Sequence, residues 1–225
     1  MSTGRVLFIL TSHDDLGGLR RTGYYLNEAA HPWKVLREAG YEVDLASVKG
    51  GVPPQDGRDE QDAGQQEFLT DPAVAAQLAN TRTVTDYDPC DYDAVLYVGG
   101  HGTVFDFPGN RALADFSAKV YENNGVVAAV CHGPAGLLDI TLSDGSYLVS
   151  GKDLTSFTNA EEDAVGLTDV VPVLLETALT ERGAIHHRAP NFTDNVIVDG
   201  RLVTGQNPAS ATGLAEALVK VLTDR

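Results

Sequence analysis

Residues Val126–Leu138, VVAAVCHGPAGLL, decide how the chain is read. Val126 to Val130 are small or β-branched apolar residues and suit a strand buried on both faces, as in a parallel sheet. Cys131 and His132 end that run. Gly133-Pro134 then open a short apolar helix, because proline is tolerated in a helix's first turn and not in its interior. The thiol is expected on a tight strand-to-helix turn at the carboxyl end of a central strand, the edge where open α/β sheets bind ligands. Unpaired amides at a helix N-terminus favour thiolate over thiol, which makes Cys131 a candidate nucleophile. A cysteine after an apolar run is also often a plain buried hydrophobe. The polar His132 beside it and the nearby glycines favour the reactive reading.

Working outward, Arg5–Leu10 (RVLFIL) and Tyr41–Ser47 (YEVDLAS) read as strands. Between them Trp33, Leu36 and Ala39 share one helical face, with Gly40 as a stop. Pro32 leaves two possibilities, a helix starting there or a kinked one beginning near Leu26. Lys49–Gln66 is rich in Gly, Pro, Asp and Gln and reads as a surface loop. Asp71-Pro72 caps a short helix with Val74 and Leu78 on one face. Asp93–Val98 is a buried strand followed by the glycine turn GGHG, and Asn110 caps a helix carrying Leu113, Phe116 and Val120 inward. Past Ile140, short strands are expected at Tyr147–Val149 and Leu154–Phe157, and a helix over Asp169–Arg182. Asp199-Gly200 predicts a hairpin between Asn195 and Gly205, and Ala209–Leu222 predicts a last amphipathic helix. Strands alternating with helices predict an α/β fold, a doubly wound, mostly parallel flavodoxin-like sheet with helices on both faces. The whole of 1–225 is expected to be one domain with a surface insertion around 49–92.

Sixteen basic residues against 32 acidic give a net charge of −16. That balance argues against nucleic acid or an anionic membrane surface as partner, since both need positive charge. Cys90 and Cys131 are the only cysteines and form no disulfide framework or zinc spacing, so no metal is expected. Val6–Leu10 is too short for a signal core or a membrane span, and a reducing cytoplasm is the expected compartment. His186-His187 follow an apolar pair and read as strand-end residues, and Cys90 as a bystander.

Four strand ends finish in polar or glycine-rich loops: Thr11 onward, Ser47 onward, Gly99-Gly100-His101-Gly102, and Cys131-His132. A parallel sheet would gather all four on one edge, where the amides of GGHG and His132 could hold an oxyanion. From spacing alone Glu28 is open between a first-turn residue favoured by the helix dipole and a functional acid. By the same measure Glu161 and Glu162 read as a solvated acidic patch, and His101 as a residue bonding its own turn.

Cys131-His132-Gly133-Pro134, the Gly99–Gly102 turn, and Thr22-Gly23 leading to Glu28 resemble the ThiJ/PfpI superfamily, of the class I glutamine amidotransferase-like fold. Ala46–Gly51, His101–Pro108 and Asp199–Ala211 are most similar to its heat-shock-protein and glyoxalase III branch. That resemblance implies conversion of methylglyoxal or glyoxal to lactate or glycolate without glutathione or any other cofactor, a D-lactate dehydratase activity. It implies Cys131 as nucleophile, His132 as neighbouring base, Glu28 as the acid at the sulfur, and Glu162 rather than Glu161 as the triad acid. Gly100, His101 and Phe105 would line the aldehyde site, and a homodimer would be usual. Two rivals use the same residues: a cysteine amidase, peptidase or deglycase, and a stress-protective chaperone or redox sensor in which Cys131 oxidises. Amidotransferases of this fold carry a later His-x-Glu pair, and His186-His187-Arg188 offers no matching acid.

Overall fold

A computed structural model describes residues 4–225. The apolar runs become strands of one sheet and the amphipathic stretches become the helices that cover it. In chain order these are β1 (Gly4–Leu10), β2 (Tyr24–Tyr25), α1 (Leu26–Glu38), β3 (Tyr41–Ser47), β4 (Gln55–Asp56), α2 (Ala63–Thr70) and α3 (Pro72–Ala79). There follow β5 (Ala94–Tyr97), α4 (Thr103–Asp106), α5 (Arg111–Glu122) and β6 (Val126–Val130). The last part holds β7 (Asp153–Leu154), α6 (Asn159–Ala164), α7 (Leu175–Glu181), β8 (Ile185–His186), β9 (Val196–Asp199), β10 (Leu202–Gly205) and α8 (Ala211–Thr223).

The main sheet runs β3-β1-β5-β6-β10-β9. Every pair is parallel except the edge hairpin β9–β10, whose two-residue turn is Gly200-Arg201, one residue past the Asp199-Gly200 signal. Alternate residues of the central strands face opposite layers, as the period-2 pleat requires. Val6, Phe8, Leu96, Ala128 and Val130 pack with Leu26, Trp33 and Leu36 of α1 and Leu214 and Leu218 of α8. Leu7, Ile9, Val95, Tyr97, Val127 and Ala129 pack with Leu113, Phe116 and Val120 of α5 and Leu175 and Leu179 of α7. Each Val, Leu, Ile or Phe side chain among these, fully buried, contributes about 1.5–3 kcal/mol of transfer free energy. This is the doubly wound, mostly parallel sheet expected from the sequence.

Of the two forms left open around Pro32 the chain takes the second, a helix that begins at Leu26 with the proline inside. Proline has no N–H to give back to the preceding turn, so a hydrogen bond is lost there. Several expectations need correction. The stretch read as a loop over 49–66 contains β4 and the start of α2, whose Phe68 meets Trp33 edge-on at 5.5 Å. Leu154–Phe157 is strand only over Asp153–Leu154, paired parallel with β8, and Tyr147 makes just an isolated bridge to Thr141. The helix expected from Asp169 starts at Leu175. Pro172 explains the delay, since a residue before proline is held out of the helical region. Asp71 and Asn110 cap their helices as expected, each accepting from backbone amides.

Candidate active site

The carboxyl ends of β1, β5 and β6 meet at one edge, and β6 delivers Cys131 there. Cys131 has φ +60°, a left-handed conformation that costs an ordinary side chain energy and persists only where surroundings enforce it. Its N–H donates to Gly205 O at 2.9 Å, and its carbonyl accepts from Phe157 N at 2.8 Å. A helix was expected beyond it; the turn is a five-residue 3-10 segment, Gly133–Leu137. Space sets this turn: a Cβ on Gly133 would lie 2.2 Å from Tyr97 O, and one on Gly136 would lie 2.3 Å from the Tyr97 ring.

α1 brings Glu28. Tyr25 N–H donates to Gly99 O at 2.9 Å, tying the helix start to the GGHG loop. The Glu28 carboxyl is fully buried, against Gly99 and the Cys131 thiol, and neither oxygen has a partner at full hydrogen-bond geometry. A Cβ on Gly99 would sit 2.3 Å from Glu28 Oε2 and 3.0 Å from Cys131 Cβ, so only glycine permits this approach. Burial pushes the Glu28 carboxyl up to about 8, with the thiol and the Gly99 amide pulling the other way. Glu28 therefore carries a proton at neutral pH.

His132 follows on the same turn, with Nδ1 3.3 Å from Cys131 Sγ. Its Nε2 lies 2.7 Å from Glu162 Oε2, and His101 Nε2 lies 3.0 Å from Glu162 Oε1. Burial alone would raise the Glu162 carboxyl; hydrogen bonds from His101 and His132 outweigh it and leave a pKa of about 2. Glu162 is thus an ionised acceptor, and the histidine Nε2 atoms donate to it. Burial, with His101 adding to it, lowers His132 to about 4, so its imidazole is neutral. With the proton on Nε2, Nδ1 presents a lone pair to the thiol. The Thr103 hydroxyl lies 2.9 Å from both Gly100 O and His132 O, joining the two loops.

Two sequence readings change here. Glu161 and Glu162 are both buried, not a solvated patch. Glu161 accepts from Thr158 N and Oγ1, Phe192 N and Asn207 Nδ2, while Glu162 faces the histidines. The neighbouring glutamates point to different partners. The thiolate expectation is also corrected: Cys131 is 4% exposed, and burial pushes its thiol well above the usual value, with Glu28 adding to this when charged. The short 3-10 turn offers too little dipole to offset desolvation. Cys131 rests as a thiol with a base beside it.

A cavity of about 460 Å³ opens over this group and includes Glu28, Gly100, His101, Cys131 and His132 in its lining. Phe105 does not line it. Its ring stacks on His13 at 4.4 Å, because α4 turns that side chain toward the loop after β1. Sequence reading missed the remaining wall, chiefly Tyr25, Phe157, Val165 and Phe192. Tyr25 and Phe157 lie a few residues from Glu28 and Glu162, a signal that was available. Nothing local marks Phe192. His186 is in β8, 2.9 Å from Ser156 Oγ, outside this cavity.

The ligand atoms of His101, His132 and Glu162 lie within 4.8 Å of one another, a spacing a divalent cation could use. Here those atoms already hydrogen-bond one another, and a cation would have to displace both N–H donors from Glu162. Among the described residues no helix is long and apolar enough to cross a membrane.

Residues 19–221 match the DJ-1/PfpI family model. The chain is 36% identical over 236 residues to Glyoxalase 3 of Candida albicans, covering 96% of this chain and 97% of that one. It is 35% identical over 242 residues to the glutathione-independent glyoxalase HSP31 of Saccharomyces cerevisiae, covering 99% of each. Its fold superposes on the X-ray structure of the Francisella tularensis Rapid Encystment Protein 24 kDa with TM-score 0.94 and 36% identity, covering 98% of this chain and 99% of that chain. With the buried cysteine on its strained turn and the match running nearly end to end, the chain belongs to the DJ-1/PfpI family.

Proposed function

We propose that the protein is a glutathione-independent glyoxalase that converts methylglyoxal to lactate, and glyoxal to glycolate, through a hemithioacetal on Cys131. The observation that carries this reading is the Cys131–His132–Glu162 relay facing a protonated Glu28. Relatives named as glyoxalases match along nearly the whole chain and support it.

As the sulfur attacks the aldehyde carbon, His132 Nδ1 takes the thiol proton, and the positive charge formed on the ring is stabilised by Glu162. The C=O π bond becomes an oxyanion, which the amides of Gly100 and His132 can hold and which recovers the proton from His132. Neutral again, His132 removes the hydrogen on that carbon. The electron pair shifts toward the adjacent ketone, whose oxygen accepts the Glu28 proton to give an enediol. Return of the abstracted proton to the second carbon leaves a 2-hydroxyacyl thioester, with Glu28 reprotonated from the first hydroxyl. Water then cleaves the C–S bond, restoring the thiol and releasing the hydroxy acid. The sum is substrate plus one water, with no net oxidation.

Lactate formation from methylglyoxal with no thiol added is the direct test, with Cys131→Ala beside the wild type. Loss of at least about 10³-fold in the variant is expected, as for removal of other enzymic nucleophiles. Retained turnover would rule out the covalent route.

A further inference from the structure

The cavity over Cys131 is larger than methylglyoxal needs, and much of the surplus wall is apolar. Methylglyoxal has five non-hydrogen atoms and would fill roughly 150 Å³ even at the ~30 Å³ that each molecule takes in liquid water. The cavity is about 460 Å³. Phe157, Val165, Leu167 and Phe192 supply apolar wall, and the Phe157 and Phe192 rings lie 6.2 Å apart.

Val165 and Phe192 remain 43% and 49% exposed, although both are large and apolar. Phe192 is also held at φ +59°, which a bulky residue adopts only under constraint. The constraint is visible. Phe192 N–H donates to Glu161 Oε1 at 2.8 Å, Asn207 Nδ2 donates to the same oxygen at 2.9 Å, and Asn191 Nδ2 donates to Ala160 O at 3.1 Å. A wholly buried carboxylate thus fixes an aromatic ring half in water. Folding gains little from that arrangement, whereas a ligand covering the ring gains its burial.

Charge narrows the ligand. Among the described residues Arg20 is the only lysine or arginine in the lining, and its Nη1 is paired to Asp56 Oδ2 at 2.7 Å. With Arg20 neutralised by Asp56 and Glu28 protonated, the lining leaves no free cation for an anionic substituent, and a neutral apolar one fits.

We infer that Phe157, Val165, Leu167 and Phe192 form a subsite for the apolar substituent of a 2-oxoaldehyde larger than methylglyoxal, an alkylglyoxal whose aldehyde end lies at Cys131. This rests on the glyoxalase reading and deepens it by naming the substrate class.

The test is kcat/KM across methyl-, ethyl-, butyl- and hexylglyoxal, which share one reacting group. Each added methylene that enters the subsite is expected to raise kcat/KM about three- to fourfold over the first few carbons. Phe192→Ala, and separately the surface-lying Val165→Lys, are expected to cut the hexyl-to-methyl ratio at least about tenfold. A flat or falling series in the wild type, with methylglyoxal still turned over, overturns the subsite and leaves the glyoxalase reading standing. A rising series unchanged in both variants also overturns it. No turnover of any member overturns both.

Discussion

Cys131, His132 and Glu162 form a chain in which each proton position follows from the next group's charge. Glu162 is ionised, so His132 holds its proton on Nε2, so Nδ1 is free to take the thiol's. Replacing Glu162 by glutamine keeps an acceptor in place but removes the charge that stabilises a protonated His132. We expect kcat to fall about 10²–10⁴-fold, with KM changing far less. Equal losses in both parameters after Glu162→Gln would instead mark it as a substrate contact. The same groups set the pH profile. On the proposed route His132 acts as a neutral base, so activity should fall as pH drops toward about 4. On that route Glu28 donates a proton, so activity should fall as pH rises through about 8. Glu28→Gln cannot ionise, and the residual activity of that variant should lose the alkaline limb. An alkaline limb unchanged in the variant would assign it to another group.

At the scale of elements, the site depends on how closely the glycine turns let β5, β6 and α1 approach. Gly99→Ala places a Cβ 2.3 Å from Glu28 Oε2 and 2.5 Å from Val130 O. We expect a stability loss of about 1–3 kcal/mol from overpacking, together with lost activity because Glu28 is displaced. Asp71 accepts from Ala73 N and Val74 N at the start of α3, away from the cavity lining. Asp71→Ala should cost about 1 kcal/mol, lowering Tm by about 2–4 °C with kcat/KM unaltered. Measuring Tm and kcat/KM on both variants checks the contrast. Full activity in Gly99→Ala would contradict the steric account.

Across the whole molecule, a few buried carboxyls make stability depend on pH in opposite directions. Glu28 rises from 4.5 to about 8 and Asp106 from 3.8 to about 6, each chiefly through burial. Both hold more protons folded than unfolded, so their contributions are full at acid pH and are lost as pH rises through those folded values. Glu162 behaves the other way: its contribution is present above 4.5 and is lost as pH falls toward about 2. Thermal melts of the wild type and Glu28→Gln should therefore diverge between about pH 5 and 8, the variant gaining relative Tm as pH rises. Parallel curves would mean that Glu28 titrates normally.

The succession of strands and helices and the turn that carries Cys131 and His132 were legible along the chain, whereas Glu28 was tied to the site only by the family resemblance. Period-2 and helical spacing, proline and glycine placement, and the Cys-His-Gly-Pro run are local properties of sequence. Other features were decided only in three dimensions. Glu161 and Glu162 are adjacent and chemically identical, and only packing turns one toward Phe192 and the other toward His132. Phe105 reads like a pocket residue, yet stacks on His13 instead, and Phe192, with no local signal, forms the pocket wall. The thiol's protonation likewise follows from desolvation by distant segments, which outweighs the short turn's dipole. Hydrophobic period reports which face of an element is buried; the partners a buried polar group meets there depend on contacts between remote parts of the chain.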